Sequence, residues 1–260
     1  MNILQQICDH KRLEVAQQKK EMPFEYLQDF YHLTEHSPLS LRQALRDSPT
    51  GIIAEFKRKS PSKGWIHPGA VAKETVRSYA DAGAAAVSIL TDTEFFGGGF
   101  FDFKKARKAV EGIPFLRKDF IVDEYQIHQS KVLGADAILL IAACLTKEEA
   151  SRFASIAREL GLEVLLEIHN ADELDYISDA VDVVGVNNRD LTRFVTDVGI
   201  SLQLADKIPP GCVRISESGL SDVSTVRTLR QAGYQGFLMG ENFMKTPDPG
   251  QALADFIRAL

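Results

Sequence analysis

The sequence predicts an α/β protein, a single (β/α)8 TIM barrel with an N-terminal helical extension. Three observations carry that prediction. From residue 51 onward, eight short apolar runs alternate with longer amphipathic stretches, and regular strand–helix alternation argues for a parallel sheet. Eight such units in about 210 residues match the count and length of a closed barrel. The junctions AGAAAVSIL (82–90), LGADAILLI (133–141) and AGYQGFLMG (232–240) repeat one pattern of helix end, glycine and strand. An open doubly wound sheet fits less well, because it usually has fewer strands and its Gly-rich dinucleotide turn is absent.

The extension comes first in the chain. Ile3, Leu4, Ile7 and Val15, set among charged and amide residues up to Lys20, predict a polar helix with a modest apolar face. LSLRQALRDS predicts a second helix leading into the first strand. Residues 1–50 are expected to pack on the barrel of residues 51–260, capping it or shaping access to it. No linker or low-complexity tract separates the two.

The expected strands are Gly51–Lys57, Ala84–Thr91, Pro114–Phe120, Ala135–Ala143, Glu163–His169, Val181–Asn188, Cys212–Glu217 and Gly236–Gly240. Between them, stretches such as AVAKETVRSYADAG, DEYQIHQSKVLG, TKEEASRFASIARELG and SDVSTVRTLRQAG predict helices. Each stretch ends at a glycine suited to a helix C-terminus.

Composition sets limits on function. A hydrophobic content of 45% with 25% charged residues is that of a soluble globular chain. A net charge of −6 argues against a general nucleic-acid binder. The three cysteines, Cys8, Cys144 and Cys212, are far apart and form no CxxC pair, so neither a disulfide framework nor a cysteine zinc site is expected. A reducing, cytoplasmic setting fits them. The N-terminus lacks the apolar core of a signal peptide, and no run approaches the roughly 20 apolar residues that span a bilayer.

Five strand-like runs end in polar signatures: IIAEFKRKSPSKG (52–64), FLRKDF (115–120), VLLEIHN (164–170), VVGVNNRD (183–190) and RISESG (214–219). Burying an unpaired charge is costly, so charges confined to the downstream ends of buried strands suggest an active-site mouth for a small, anionic substrate. Strand parity sharpens this, because alternate side chains face opposite sides. Ile52, Ala54, Phe56, Val164, Leu166, Ile168, Val184 and Val186 should face outward onto helices. Glu55, Lys57, Glu167, Asn187 and Arg189 should face the interior at the C-terminal ends of strands, where barrel enzymes keep their chemistry.

Several side chains carry specific expectations. Glu55 and Lys57 lie two apart and can meet; the plainer reading is a buried ion pair, which is expensive to form. Lys57, Arg58, Lys59 and Lys63 read as a local basic cluster. Lys118 should point into the mouth, with Arg117 on the opposite face. Among other cations its pKa should fall, as suits a proton donor. Glu167 lies among Leu165, Leu166 and Ile168 and should have a raised pKa, as suits a base. His169 reads as a structural hydrogen-bonding residue. Ser218-Gly219 and Gly240-Glu241 follow the seventh and eighth strands, the usual phosphate cradle of this architecture. In FFGGG (95–99), which lacks a P-loop ending, Phe95 or Phe96 could cover an aromatic ligand, as could Phe120. HLTEH (32–36) has the spacing of a zinc-peptidase motif, yet no third ligand is evident, and no metal is expected.

In order and spacing, AEFKRKSPSKG, LRKDF, LLEIHN, GVNNRDL and ISESG resemble the signatures of the indole-3-glycerol-phosphate synthases, a likeness running from HKRLEVAQQK to the C-terminus. The resemblance implies a cofactor-free carboxy-lyase of tryptophan biosynthesis. Its phosphorylated small-molecule substrate would be 1-(2-carboxyphenylamino)-1-deoxyribulose 5-phosphate. The products would be indole-3-glycerol phosphate, carbon dioxide and water. It implies three catalytic residues: Lys118 as general acid, Glu167 as base and Lys57 as a second lysine. Lys57 would position the substrate carboxylate and can itself supply a proton, the order in which the two lysines act being left open. Glu55, Ser60, Asn187, Arg189 and Glu217 would bind substrate, with Phe96 and Phe120 against its ring. Ser218, Gly219, Gly240 and Glu241 would hold the phosphate. The loop FFGGGF is richer in glycine than the family's usual form. At 241 glutamate stands where some relatives have serine, so only its backbone should meet phosphate. The expected assembly is a monomer or weak homodimer without nucleic acid or membrane.

Two other readings are weighed against this one. Phosphoribosylanthranilate isomerase, a pathway neighbour, would place a cysteine at the end of the first strand, where this chain has Glu55 and Lys57; a fused isomerase domain is not expected either. A non-catalytic anion-binding barrel would keep the phosphate loops but have no use for Lys118 opposite Glu167.

Overall fold

In the computed structural model, which describes residues 3–31, 36–190 and 195–260, eight parallel strands close into a barrel. They are β1 (Ile52–Phe56), β2 (Ala86–Leu90), β3 (Phe115–Lys118), β4 (Ala137–Ile141), β5 (Glu163–Ile168), β6 (Val183–Asn187), β7 (Val213–Glu217) and β8 (Gly236–Met239). Each pairs with its sequence neighbours. β1 closes the ring on β8, with Ile53 opposite Leu238, and pairs on its other side with β2.

The strands separate two apolar cores. Outside, Ile52, Ala54, Phe56, Val164, Leu166, Ile168, Val184 and Val186 pack against helices that contribute Val76, Tyr79, Phe103, Phe153 and Leu229. Inside, Ile53, Leu116, Leu139, Leu165, Val183, Ile215 and Leu238 fill the barrel. The parity expected from the sequence therefore holds. Fully burying one such aliphatic side chain contributes about 1.5–3 kcal/mol, so a one-residue register slip, which would exchange the two faces, is strongly disfavoured.

Helices α4 (Ala72–Asp81), α5 (Phe100–Ala109), α6 (Glu124–Leu133), α7 (Lys147–Glu159), α8 (Gly199–Leu204), α9 (Val223–Gln231), α10 (Glu241–Met244) and α11 (Pro249–Ala259) follow or link the strands. Their ends are written in the sequence. Thr146 and Glu149 form a reciprocal cap at the start of α7, as Asp123 and Gln126 do for α6. Gly134 ends α6 in the left-handed region, with φ 78°.

Among the described residues, three α-helices precede the barrel: α1 (Ile3–Glu21), α2 (Phe24–Gln28) and α3 (Leu41–Asp47). Both expected helices are present; the short α2, which begins after Pro23, was not anticipated. They reach opposite ends of the barrel. On α3, Leu41 and Leu45 are buried in the interior cluster, and Arg42 and Arg46 donate to the Gly211 carbonyl just before β7. That helix plugs the N-terminal end. The α1 helix lies across the opposite mouth, where Ile3, Leu4 and Ile7 border the cleft. Among the described residues no helix is long and apolar enough to cross a membrane.

Candidate active site

The C-terminal ends of the strands surround a cleft of about 280 Å³. Glu55 ends up inside because it shares the inward parity of Ile53, and Glu167 because it shares that of Leu165. Lys118 and Glu217 are the last residues of β3 and β7, and Asn187 is the last residue of β6. All fourteen candidate residues line this one cleft: Glu55, Lys57, Ser60, Phe96, Lys118, Phe120, Glu167, Asn187, Arg189, Glu217, Ser218, Gly219, Gly240 and Glu241.

Three ion pairs, made by two lysines, organise the floor. Lys57 Nζ lies 2.6 Å from Glu55 Oε1. Lys118 Nζ donates to Glu217 Oε2 at 2.5 Å and to Glu167 Oε2 at 3.3 Å. Asn187 Nδ2 donates to the second Glu167 oxygen at 3.0 Å, while Asn187 Oδ1 accepts the Arg189 backbone N–H. Glu55, Glu167 and Glu217 are all buried. Two glycines make room for them. A Cβ at Gly185 would come within 2.3 Å of Glu217 Oε1, and one at Gly240 within 2.5 Å of Glu55 Oε1.

The electrostatics reverse two expectations. Burial alone would lower the Lys118 pKa, but Glu217, Glu167 and Glu55 outweigh it and push it well up. Burial alone would raise the Glu167 pKa, but Lys118, His169 and the Asn187 amide pull it well below the usual carboxylate range. Sequence parity had placed cations and apolar side chains next to these groups. The decisive neighbours come from across the barrel. Glu217 takes the opposite course: burial, together with Glu167 and Glu55, raises its pKa to about 7 against the pull of Lys118. One of its oxygens, Oε1, is buried with no hydrogen-bond partner among the described residues.

His169, read from the sequence as structural, borders this cluster. Its Nε2 lies 3.4 Å from Glu167 Oε1 and its Nδ1 3.4 Å from Glu173 Oε2. Burial would lower its pKa, but the two carboxylates raise it to about 10, so the ring is an imidazolium near neutral pH. The i, i+2 spacing to Glu167 and i, i+4 spacing to Glu173 were the available signals.

The expected basic cluster does not converge. Arg58 turns away to Asp102 and to the carbonyls of Gly97 and Ala70. Lys59 caps the Glu94 carbonyl and Lys63 is exposed, so that of these four described residues Lys57 lines the cleft, beside Lys118, Arg189 and Lys245. Arg117 faces outward as expected, held by Ser130, Asp119 and the Gln126 carbonyl. Phe96 and Phe120 form one wall, their ring centroids 5.8 Å apart, while Phe95 packs on His10 instead.

At the opposite rim, Ser218 has a left-handed φ of 66°, and Arg189 bonds Ser62 at 2.9 Å. The Glu241 side chain stands 3.9 Å from Arg189. Lys245, Asn242 and Ser221 also line this side. They were missed because they lie beyond strand ends, where parity no longer applies. The HLTEH segment falls outside the described residues except His36, which bonds Asp136 at 2.5 Å.

A family model described as indole-3-glycerol phosphate synthase matches residues 4–256. This chain belongs to the indole-3-glycerol phosphate synthase family. Among similar members, the indole-3-glycerol phosphate synthase of Bacteroides thetaiotaomicron is 52% identical over 259 residues, covering 100% of this chain and 99% of its own length. That of Salinibacter ruber is 42% identical, covering 98% and 94%. Solved structures add the fold alone. A chain of the tryptophan synthase complex of Pyrococcus furiosus superposes with a TM-score of 0.60 at 16% identity, covering 80% of this chain and 96% of that one. The 3-hexulose-6-phosphate synthase of Salmonella typhimurium gives 0.62 at 13%, covering 80% and 99%. Family members are carboxy-lyases of tryptophan biosynthesis.

Proposed function

We propose that this chain carries out its family's reaction as follows, with Lys118 as the central group. The substrate 1-(2-carboxyphenylamino)-1-deoxyribulose 5-phosphate closes its ring by attack of an aromatic carbon on the sugar ketone. It then loses carbon dioxide and water to give indole-3-glycerol phosphate. The observation that carries this reading is the Lys118 ammonium held between Glu217 and Glu167 on the cleft floor.

Ring closure builds negative charge on the ketone oxygen. A fixed ammonium in a water-poor site stabilises that charge and donates the proton. The raised pKa of Lys118 keeps it charged until then. Once Lys118 has released its proton, the cation that held Glu167 ionised is gone. Loss of carbon dioxide from the attacking, carboxyl-bearing ring carbon restores the benzene ring. Glu167, now more basic, can then take the proton from the former sugar C1 as the hydroxyl leaves as water and the indole forms. Glu217, with its pKa near 7, is within reach to reprotonate Lys118. Lys57 holds the substrate carboxylate, with Glu55 fixing Lys57. Ser60, whose hydroxyl is buried with no partner among the described residues, Asn187 and Arg189 bind the remaining polar groups. Phe96 and Phe120 receive the anthranilate ring. The loops at Ser218-Gly219 and Gly240-Glu241 take the phosphate through backbone N–H groups, with Lys245 alongside.

We read residues 1–50 and 51–260 as one working unit, because α1 supplies part of the cleft wall. The protein is proposed to act in the cytoplasm as a monomer or weak homodimer. Incubating it with the carboxyphenylamino substrate should produce indole fluorescence and one carbon dioxide per turnover. Fluorescence no higher than in a protein-free control would sink the proposal.

A further inference from the structure

Cys8 lies on α1, one residue after Ile7, which borders the cleft. Cys144 lies in a short 3-10 turn (Ala142–Cys144) directly after β4, whose last residue, Ile141, also borders it. The two residues are 136 apart in sequence, yet their Sγ atoms approach to 3.0 Å. A disulfide needs about 2.0 Å between the sulfurs, so side-chain rotation of about 1 Å suffices. Both thiols are free; Cys8 is buried and Cys144 half-buried. The proposed chemistry of the cleft uses neither.

We propose that Cys8 and Cys144 are a redox modification site, forming a reversible disulfide that ties α1 covalently to the barrel rim in response to a peroxide. The inference is independent of the reaction assigned to the cleft.

The two thiols are unlike, which suits a two-step oxidation. Cys8 has a lowered pKa through its hydrogen bond with Cys144, an effect that exceeds the opposing burial and is helped by Arg12. Cys144 has a raised one, from the same contact and from burial. The Cys8 thiolate attacks one peroxide oxygen. An S–O bond forms, the O–O bond breaks, and hydroxide leaves as water after taking a proton. Cys144 then attacks the Cys8 sulfenic sulfur. An S–S bond forms, the S–O bond breaks, and a second hydroxide leaves as water with the Cys144 proton. Two thiols are oxidised by two electrons, and one peroxide is reduced to two waters.

The tether acts on the mouth of the barrel. Ile3, Leu4 and Ile7 reach the cleft from the same helix, which non-covalent contacts alone hold while the thiols are reduced. Closing a loop of this length removes much unfolded-state freedom.

The test uses the full chain with Cys212→Ser, since Cys212 sits before β7 at the other end of the barrel. It is treated with equimolar hydrogen peroxide. The expected product is a monomer lighter by two hydrogens, with no free thiol. Its Cys8 and Cys144 peptides are joined in a non-reducing digest, and dithiothreitol reverses it. The unfolding midpoint should rise by about 5–15 °C on oxidation. Cys8→Ser and Cys144→Ser should each abolish the joined peptide. Thiols that stay free, oxygen addition confined to one cysteine, or a disulfide between two chains would each overturn the proposal. The peptide map reads the pair directly, so the result stands even if a serine variant folds poorly.

Discussion

Lys118 is the residue on which the site turns. Replacing it with alanine removes the acid and leaves two buried carboxylates facing each other. Glu167→Gln keeps the shape but removes the base. Each change should lower kcat by about 10²–10⁴-fold, the usual scale for acid–base groups, with near-UV circular dichroism unchanged. Wild-type turnover in either variant would take that residue out of the chemistry. His169 gives a second residue-scale expectation. Its folded pKa of about 10 lies above the unfolded value of 6.5. Its stabilising contribution is therefore complete below about pH 6.5 and lost as pH rises through about 10. The stability gap between the wild type and His169→Gln, read by urea unfolding, should be widest near pH 6 and shrink toward pH 10. A gap independent of pH would contradict the charged imidazole.

Which residues enter the cleft was legible from parity, because a strand alternates strictly and Glu55, Lys57, Glu167 and Asn187 follow apolar residues of known facing. Their ionisation was not legible. The partner that sets the state of Lys118 is Glu217, 99 residues away, and no local pattern states which strand ends face each other across a closed barrel.

Among the elements, α1 makes the least obvious contribution. Lys11 is buried on it and pairs with Asp92 at 2.9 Å and Asp119 at 3.2 Å. Asp92 in turn accepts the Phe95 and Phe96 backbone N–H groups, and Asp119 follows Lys118 directly. One ammonium thus ties the helix to two rim loops that carry Phe96 and Phe120. Lys11→Met leaves buried Asp92 without its cation and Asp119 with Arg117 alone, and should cost about 3–5 kcal/mol in a denaturant titration. Arg12→Ala, which breaks an exposed pair with Asp9, should cost about 0–1 kcal/mol. Equal losses would show that Lys11 is no anchor. The strands and the long helices were readable from apolar periodicity and glycine ends. The lysine was hidden because α1 reads as a polar helix, and nothing in its own spacing reveals that a charged position is buried.

For the whole molecule, eight repeated units specify closure, and the closed ring is what brings distant signatures to one rim. The location of the extension could not be read the same way. Its two ends serve opposite faces, α3 at the floor and α1 at the mouth, through contacts that local sequence does not encode. The assembled rim predicts division of labour between substrate ends. A substrate analogue without its phosphate should bind at least about 10-fold more weakly, since charge-assisted hydrogen bonds contribute about 1.5–3 kcal/mol each. An unchanged KM for that analogue would remove the phosphate cradle from the account.

The most direct measurement is a crystal structure with indole-3-glycerol phosphate bound. The account predicts the phosphate on the backbone N–H groups of the Ser218-Gly219 and Gly240-Glu241 loops. It also predicts the indole beside Phe96 and Phe120, within reach of Lys118 and Glu167. Product seated outside this cleft, or inside it with its ring turned away from Lys118, would contradict it.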